Sequence, residues 1–468
     1  MKMRRDSGDA LHPFAGHVPK FGVTAPPGRS GGRGRSPRIV SHHNKRFEGK
    51  EADMDTLHEQ DAPRRGDGTL DLNGIARSLL EGCLNAVMDE QASELAAELG
   101  VARNGYRERA LDTCVGTITL RVPKLRGGTY FPEDVVSRWS RTDTALASAI
   151  CDMWVSGVST RKVERVAAEM GVESMSRSRV SRLCSSLDAE VSALRGRDLS
   201  SSEWPYLWLD ATYVDCREAG EARSVGLVVA VACDSSARRR VVGVERVDTE
   251  SYLSWRDFLL SLRRRGMSGV RLVVSDAHGG LARAVREVFQ GASRQRCIAH
   301  LERNVEGRCR RRGDGAAAAA ALKAAFRESD PALVRAGYDR AVELLAAVDE
   351  RGAGLLEEAR DQALAYLAFP REHSRWIRTN NVMERMNREV KRRTDVVQVF
   401  PSPESAVRLV GAVCLDQDDA WLSATNFIDA RSLAGGLRAA EAPAPSEEDV
   451  RSVLVAVEEA FDRRRRAA

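Results

Sequence analysis

Apolar positions repeat with different periods in different parts of the chain. Ile75, Leu79, Leu80, Leu84, Val87 and Met88 recur at helical spacing, and a second helical stretch runs on to Leu99. A strand pattern follows, with Ile118, Leu120 and Val122 on one face, Thr117, Thr119 and Arg121 on the other, and Gly127-Gly128 as its turn. Helical spacing resumes over residues 143–194. At Trp204 the texture changes to strands: Tyr206–Asp215, Ser224–Cys233 and Arg240–Val247, separated by polar or glycine-bearing turns. A helix over Ser251–Arg265, a strand over Gly269–Ser275, a helix over Leu281–Phe289 and a short strand near Arg294–Ile298 come next. Hairpin-connected strands followed by strand–helix alternation predict an α/β fold, a mixed sheet with helices on its faces. From His300 to about Ala368 the pattern is helical throughout, and helix returns at Val382–Arg393, Ser405–Trp421 and Val450–Phe461.

A chain of 468 residues with 43% hydrophobic and 30% charged positions has the composition of a multidomain globular protein. Its longest clean apolar stretch, Val225–Cys233, is less than half of the roughly twenty residues a membrane helix requires, so no membrane partner is expected. No apolar stretch backs the positive N-terminus, which excludes a secretory signal and makes the cytoplasm the expected compartment. The net charge of +5 is uneven, because residues 1–50 carry +8 and Arg463–Arg466 add a second basic run. Nine cysteines without a C-x-x-C read as reduced, buried small hydrophobes. Residues 1–68, rich in Gly, Pro, Ser and Arg, read as a disordered basic segment; Met54 begins a run resembling an ordinary protein start, and a basic arm on DNA phosphates is the functional alternative.

Chemistry is concentrated in acids. Asp210 lies inside the first strand of the sheet, in Y-L-W-L-D-A-T, where a charge needs compensation by a metal or a partner. Asp276 directly follows V-R-L-V-V-S, at the carboxyl end of a strand, where open α/β sheets bind ligands. Glu384 sits in T-N-N-V-M-E-R-M-N-R-E-V-K-R-R, on the first turns of a helix behind a possible Asn380/Asn381 cap. Taken singly, these acids also read as a solvent-facing strand residue, a helix cap and surface charge. Together they can supply hard oxygen ligands for the paired divalent ions of phosphoryl transfer.

The segments W-L-D-A-T-Y, V-S-D-A-H-G-G-L, Q-R-C-I-A-H-L-E-R-N and R-T-N-N-V-M-E-R-M-N-R-E-V-K-R-R-T together resemble the bacterial Mutator-type insertion-sequence transposases, family 256 of the insertion sequences. The resemblance runs from about Leu70 to Phe427. It implies a ribonuclease-H-like mixed-sheet core with an all-helical insertion, preceded by a mainly helical DNA-binding domain. It also implies an Asp–Asp–Glu triad falling on Asp210, Asp276 and Glu384, as both catalytic and metal-holding residues. Two Mg²⁺ ions, replaceable by Mn²⁺, are the implied cofactors. The implied activity is a DNA transposase that binds the terminal inverted repeats of its element and cleaves and joins strands, with a ribonuclease-H-like nuclease or a non-catalytic DNA-binding regulator as alternatives. Double-stranded DNA, as repeat and as target, would be the partner, met in the bacterial nucleoid by at least a dimer. The spacing of 108 from Asp276 to Glu384 is too long for a compact loop and fits the helical insertion.

The expected organisation is a basic segment at 1–68, a helical DNA-binding domain at 69–200, a core at 204–299 and 376–430, an insertion at 300–375, and a tail with one helix at 431–468. Within the second of these, Gly171 separates a helix near Val163–Met170 from one opened by S-R-S-R-V-S-R, which resembles a helix-turn-helix at about 158–190. Ser176, Arg177, Ser178, Arg179 and Arg182 would face DNA, as would Arg385, Arg388 and Arg392 on the Glu384 helix. Cys297 and His300 form a C-x-x-H pair, read as a structural motif near the site, since zinc would need Cys309 and His278 as well. His278 would orient Asp276, touch a phosphate or simply start a helix. Asp416, Asp418 and Asp419 read as a solvated acidic face.

Overall fold

The computed structural model describes residues 63–133, 135, 141–247, 249–424, 426, 428–439 and 443–467. The basic segment and Met54 lie outside these residues, except that 63–68 form a turn closed by an Arg64–Leu70 bridge. Helix α1 (Leu72–Leu99) lies on an antiparallel hairpin of β1 (Arg103–Thr113) and β2 (Gly116–Leu125). Met88, Leu111, Ile118, Leu120 and Val122 give this unit an apolar core of its own. The partner of β2 precedes it, so the turn is at Cys114-Val115 and not at Gly127-Gly128. β1 escapes pattern reading because most of its residues are exposed and carry no alternation.

Four short helices follow: α2 (Thr144–Val155), α3 (Thr160–Glu169), α4 (Arg177–Cys184) and α5 (Leu187–Gly196). The side chains of Asp143, Ser159 and Ser176 cap the first three, each accepting a backbone N–H. Gly171, at φ +84°, turns the chain between α3 and α4, and its carbonyl accepts the Thr117 N–H of the hairpin at 3.0 Å. The apolar faces of α2–α5 (Leu146, Ile150, Trp154, Val163, Val180, Val191, Leu194) belong to the same apolar cluster as one face of the central sheet. They are therefore docked on the core rather than closed on themselves.

The central sheet contains β3 (Tyr206–Glu218), β4 (Glu221–Cys233), β5 (Arg239–Val247), β6 (Leu272–Ser275) and β7 (Ser293–Arg296) in the order β5-β4-β3-β6-β7. β3, β4 and β5 pair antiparallel, whereas β6 joins β3, and β7 joins β6, in parallel. Helices α6 (Tyr252–Arg264) and α7 (Gly279–Val288) cover the face carrying Leu207, Leu209, Val228 and Val273. The other face, with Tyr206, Trp208, Val229 and Val274, packs into the larger cluster. β7 stops at Arg296 because Cys297 caps α8 (Ile298–Arg308), so the final residues of the expected fifth strand belong to a helix start.

The insertion continues as α9 (Arg312–Ala325), α10 (Pro331–Ala346) and α11 (Glu350–Ala363). The chain returns to the sheet through a short α12 (Ser374–Ile377), α13 (Asn381–Val397), the two-residue strand β8 (Val399–Phe400), which extends β3 at Asp215 and Cys216, and α14 (Pro403–Leu422). The buried amide of Gln295 fastens β7 to the insertion, donating to Ala363 O at 2.9 Å and accepting from Tyr366 N at 2.8 Å. After α15 (Ala430–Ala434), helix α16 (Glu447–Arg466) buries Val453, Val457 and Phe461 in the larger cluster. Ion pairs Arg465–Asp314 at 2.9 Å and Arg340–Glu458 at 2.7 Å tie it to the insertion, so this tail helix is a member of that helical body. No helix of the described residues is long and apolar enough to cross a membrane.

The acidic run on α14 corrects a sequence expectation. Asp416 and Asp419 are exposed, but Asp418 is 1% exposed and receives Arg197 at 2.8 Å, Arg240 at 3.0 Å and the Val241 N–H at 2.7 Å. β5 is an edge strand, and this carboxylate satisfies a backbone donor there that has no strand beyond it. Asp418→Asn should lower the unfolding free energy by about 3 kcal/mol, because it leaves both guanidiniums without a counter-charge. Asp419→Asn should change it by less than about 0.5 kcal/mol. Urea titrations of both variants measure the contrast.

Candidate active site

Strand register brings the first acids together. Trp208 of β3 pairs in parallel with Val274 of β6, and Asp210 and Asp276 each lie two residues further on, at the same level of neighbouring strands. β6 ends at Ser275, so Asp276 opens the loop at its carboxyl end. Arg294 of β7 donates to the Asp276 carbonyl and to Gln362 Oε1 at 2.6 Å, which holds that loop against the sheet. Burial pulls the Arg294 guanidinium down to about 10, still charged at neutral pH.

Glu384 arrives on α13, in the first helical turn, where the helix dipole favours a carboxylate. The buried Asn380 anchors that turn: its Nδ2 donates to Leu209 O at 3.2 Å and its backbone N–H to Cys297 Sγ at 3.2 Å. Cys297 N donates to Ser275 O at 3.0 Å, and Ile298 N to Arg378 O at 3.2 Å. The Cys297 turn thus stitches the strand before Asp276 to the segment that carries Glu384. One turn beyond Glu384, Asn387 Nδ2 donates to Asp210 Oδ2 at 2.7 Å.

His300, on the first turn of α8, forms an ion pair through Nδ1 with Asp276, and its Nε2 lies 3.7 Å from Glu384 Oε1. Its contacts with Asp276 and Cys297 push its pKa up to about 10. Arg303, one turn further along α8, donates to Glu384 Oε1 at 2.9 Å. Asp210 is pushed up to about 6, first by burial and then by the adjacent charge of Asp276. The site concentrates negative charge that His300 and Arg303 balance only in part. Its oxygen donors suit hard divalent cations.

The structure brings Asp210, Asp276 and Glu384, the acids singled out in the sequence, to one end of the sheet, together with Asn387 and Arg303, which the sequence reading did not single out. Both stand in the family motifs, three residues from Glu384 and from His300, a spacing that puts each on its neighbour's helix face. His278 has a local role, capping α7 by accepting Leu281 N–H on Nδ1 at 3.1 Å, with its ring beside Trp255. Among the described residues, the group whose metal-ligating atoms fall within 4.8 Å of one another is Asp276, Cys297 and His300. Cys309 caps the far end of α8 against Gly352, and neither it nor His278 joins that group.

The candidate DNA-facing residues divide. Arg177, Ser178 and Arg182 are exposed on α4, and Ser176 spends its hydroxyl on capping that helix. Arg179 is turned inward: it pairs with the buried Asp112 and donates to Ser174, Arg141 O and Thr142. Position 179 sits where α4 meets the hairpin, and Asp112 there has no other cation within ion-pair distance among the described residues. On α13, Arg385 and Arg388 are exposed, while Arg392 pairs with Glu389 at 3.1 Å. Arg385 also crowds the half-buried Arg239, which lies over the Trp421 ring.

The family model described as "Transposase, Mutator family" matches residues 50–424, and the chain belongs to that family. It is 36% identical over 362 residues to the transposase for insertion sequence element IS1081 of Mycobacterium tuberculosis, covering 76% of this chain and 87% of that one. The IS256 transposase of transposon Tn4001 from Staphylococcus aureus is 33% identical over 360 residues, 74% of this chain and 91% of its own. The IS406 transposase of Burkholderia multivorans is 36% identical over 328 residues, 70% and 84% respectively. A solved Drosophila P element transposase strand transfer complex is similar at 13% identity and a TM-score of 0.25, over 72% of this chain and 93% of that one, a likeness too distant to bear on this chain's fold.

Arg179→Gln should cost about 3 kcal/mol of stability by stranding the buried Asp112 carboxylate. Arg182→Gln, on the exposed side of the same helix, should cost less than about 0.5 kcal/mol. Thermal and urea unfolding of the two variants check this division.

Proposed function

We propose that the chain is a DNA transposase of the Asp–Asp–Glu class, working on a ribonuclease-H-like core. The observation that carries this reading is the meeting of Asp210, Asp276 and Glu384 from neighbouring parallel strands and a returning helix, linked by His300. The sheet order, with three antiparallel strands followed by two parallel ones, supports the core assignment. Family membership supports the reaction class.

The donor set fits Mg²⁺ or Mn²⁺: carboxylate oxygens gathered around Asp210, whose charge burial and the neighbouring Asp276 disfavour. Two such ions, when bound, would supply the positive charge that draws a proton from an attacking hydroxyl and steadies a leaving 3′ oxygen. The protein's own residues do the positioning. Asp210 and Asp276 present oxygens side by side, and Glu384 closes the site from α13. Asn387 fixes the rotamer of Asp210. His300 holds Asp276 and lies between it and Glu384.

Binding of terminal inverted repeats falls in this proposal to the region 69–200, with Arg177, Ser178 and Arg182 of α4 toward DNA and Arg385 and Arg388 beside the cleaved strand. The core comprises 204–299 and 376–430, and the insertion 300–375. Two transposon ends must be joined, so at least a dimer assembles on DNA.

Asp210→Asn, Asp276→Asn and Glu384→Gln should each abolish cleavage and joining of a duplex made from the DNA flanking the gene, with binding nearly intact. A variant keeping a tenth of wild-type cleavage removes that residue from the site, and cleavage without joined product identifies a nuclease. Replacing Arg177 and Arg182 by Gln should reduce the slope of log affinity against log salt by about 0.9 for each phosphate that is no longer neutralised. Gel shifts at two salt concentrations measure it.

A further inference from the structure

Arg303 differs from the other groups around the acids. His300 is 19% exposed and held between Asp276 and Cys297, so it cannot leave. Arg303 is 59% exposed, and among the described residues it is held by one polar contact, Nη2 to Glu384 Oε1 at 2.9 Å. An ion pair this open to water is weak, on the order of 0–1 kcal/mol, and can exchange partners at little cost.

We infer that Arg303 is an exchangeable counter-ion of Glu384, which it neutralises in the DNA-free protein and releases to take a DNA backbone phosphate when a strand enters. The guanidinium fork matches phosphate oxygens as well as carboxylate oxygens, so the move replaces one charge-assisted contact by another. Once released, Glu384 is free to ligate a cation. DNA and metal then favour each other's binding by the same factor, as linkage demands. An unloaded enzyme would thereby hold metal weakly at its third acid until a strand is in place.

This inference rests on the proposed site, and one titration separates the two. Mn²⁺ is titrated calorimetrically into the full chain without DNA, for wild type, Arg303→Gln, Arg303→Lys and Glu384→Gln. Arg303→Gln should tighten Mn²⁺ binding about fivefold, the release of an exposed ion pair worth about 1 kcal/mol. With a duplex from the DNA flanking the gene, it should also lower the salt slope by about 0.9. Arg303→Lys keeps the charge and should return both values toward wild type. Unchanged Mn²⁺ affinity or an unchanged salt slope for Arg303→Gln overturns the exchange. In a parallel titration with that duplex bound, Glu384→Gln leaving Mn²⁺ binding unaltered shows that the site itself is misplaced, and the exchange falls with it. If Glu384→Gln weakens Mn²⁺ binding to the duplex-bound protein while Arg303→Gln changes nothing in the DNA-free titration, the site stands and the exchange alone is refuted.

Discussion

Like charges do not gather in a half-buried place unless the surrounding structure forces them together. Asp210, Asp276 and Glu384 come from distant parts of the chain, and at Asp210 burial and the neighbouring Asp276 both penalise the charge. Most of the architecture around them resists that cost. The parallel register of β3 with β6 sets two acids level, and α13 drives the third inward while its dipole supports it. His300, Arg303 and the amide of Asn387 then return part of the lost favourable electrostatics.

Holding the third acid in register requires that the long insertion leave and re-enter the sheet at fixed points. Cys297 is the exit, bonded to Ser275 and Asn380 at once; Gln295 and Arg294 fasten β7 to the insertion on either side of the loop. On the opposite edge, Asp418 ties α14 to β5 through Arg197, Arg240 and a backbone N–H. Since α14 follows α13 after only a two-residue strand, this buried cluster also limits how far α13 can drift. The helices α2–α5 pack into the same apolar cluster, so α4 and the strand that carries Asp210 share one core.

The strands around Asp210 were legible in the sequence because buried strands are continuous apolar runs, and the acids stood out as charges interrupting them. β1 was not legible: its outward residues are polar and its inward ones few, so it has no period to read. Asp418 and Arg179 were misread for a common reason. Each is a charged residue on a helix that looks amphipathic, and each is buried only because a distant segment, β5 or β1, supplies its partner. Local periodicity reports which face of a helix is polar and not what lies against it. The α16 helix was misplaced likewise: an amphipathic face was visible, but the insertion it covers lies more than a hundred residues earlier.

The account turns on which atoms hold the metal. Anomalous X-ray diffraction from crystals soaked in Mn²⁺, with and without a bound DNA end, measures this directly. The account predicts manganese between the carboxylates of Asp210 and Asp276, with Glu384 joining the shell when DNA is present. Manganese, or a purified-in metal, seated instead on Asp276, Cys297 and His300 with Asp210 and Glu384 uninvolved would contradict it.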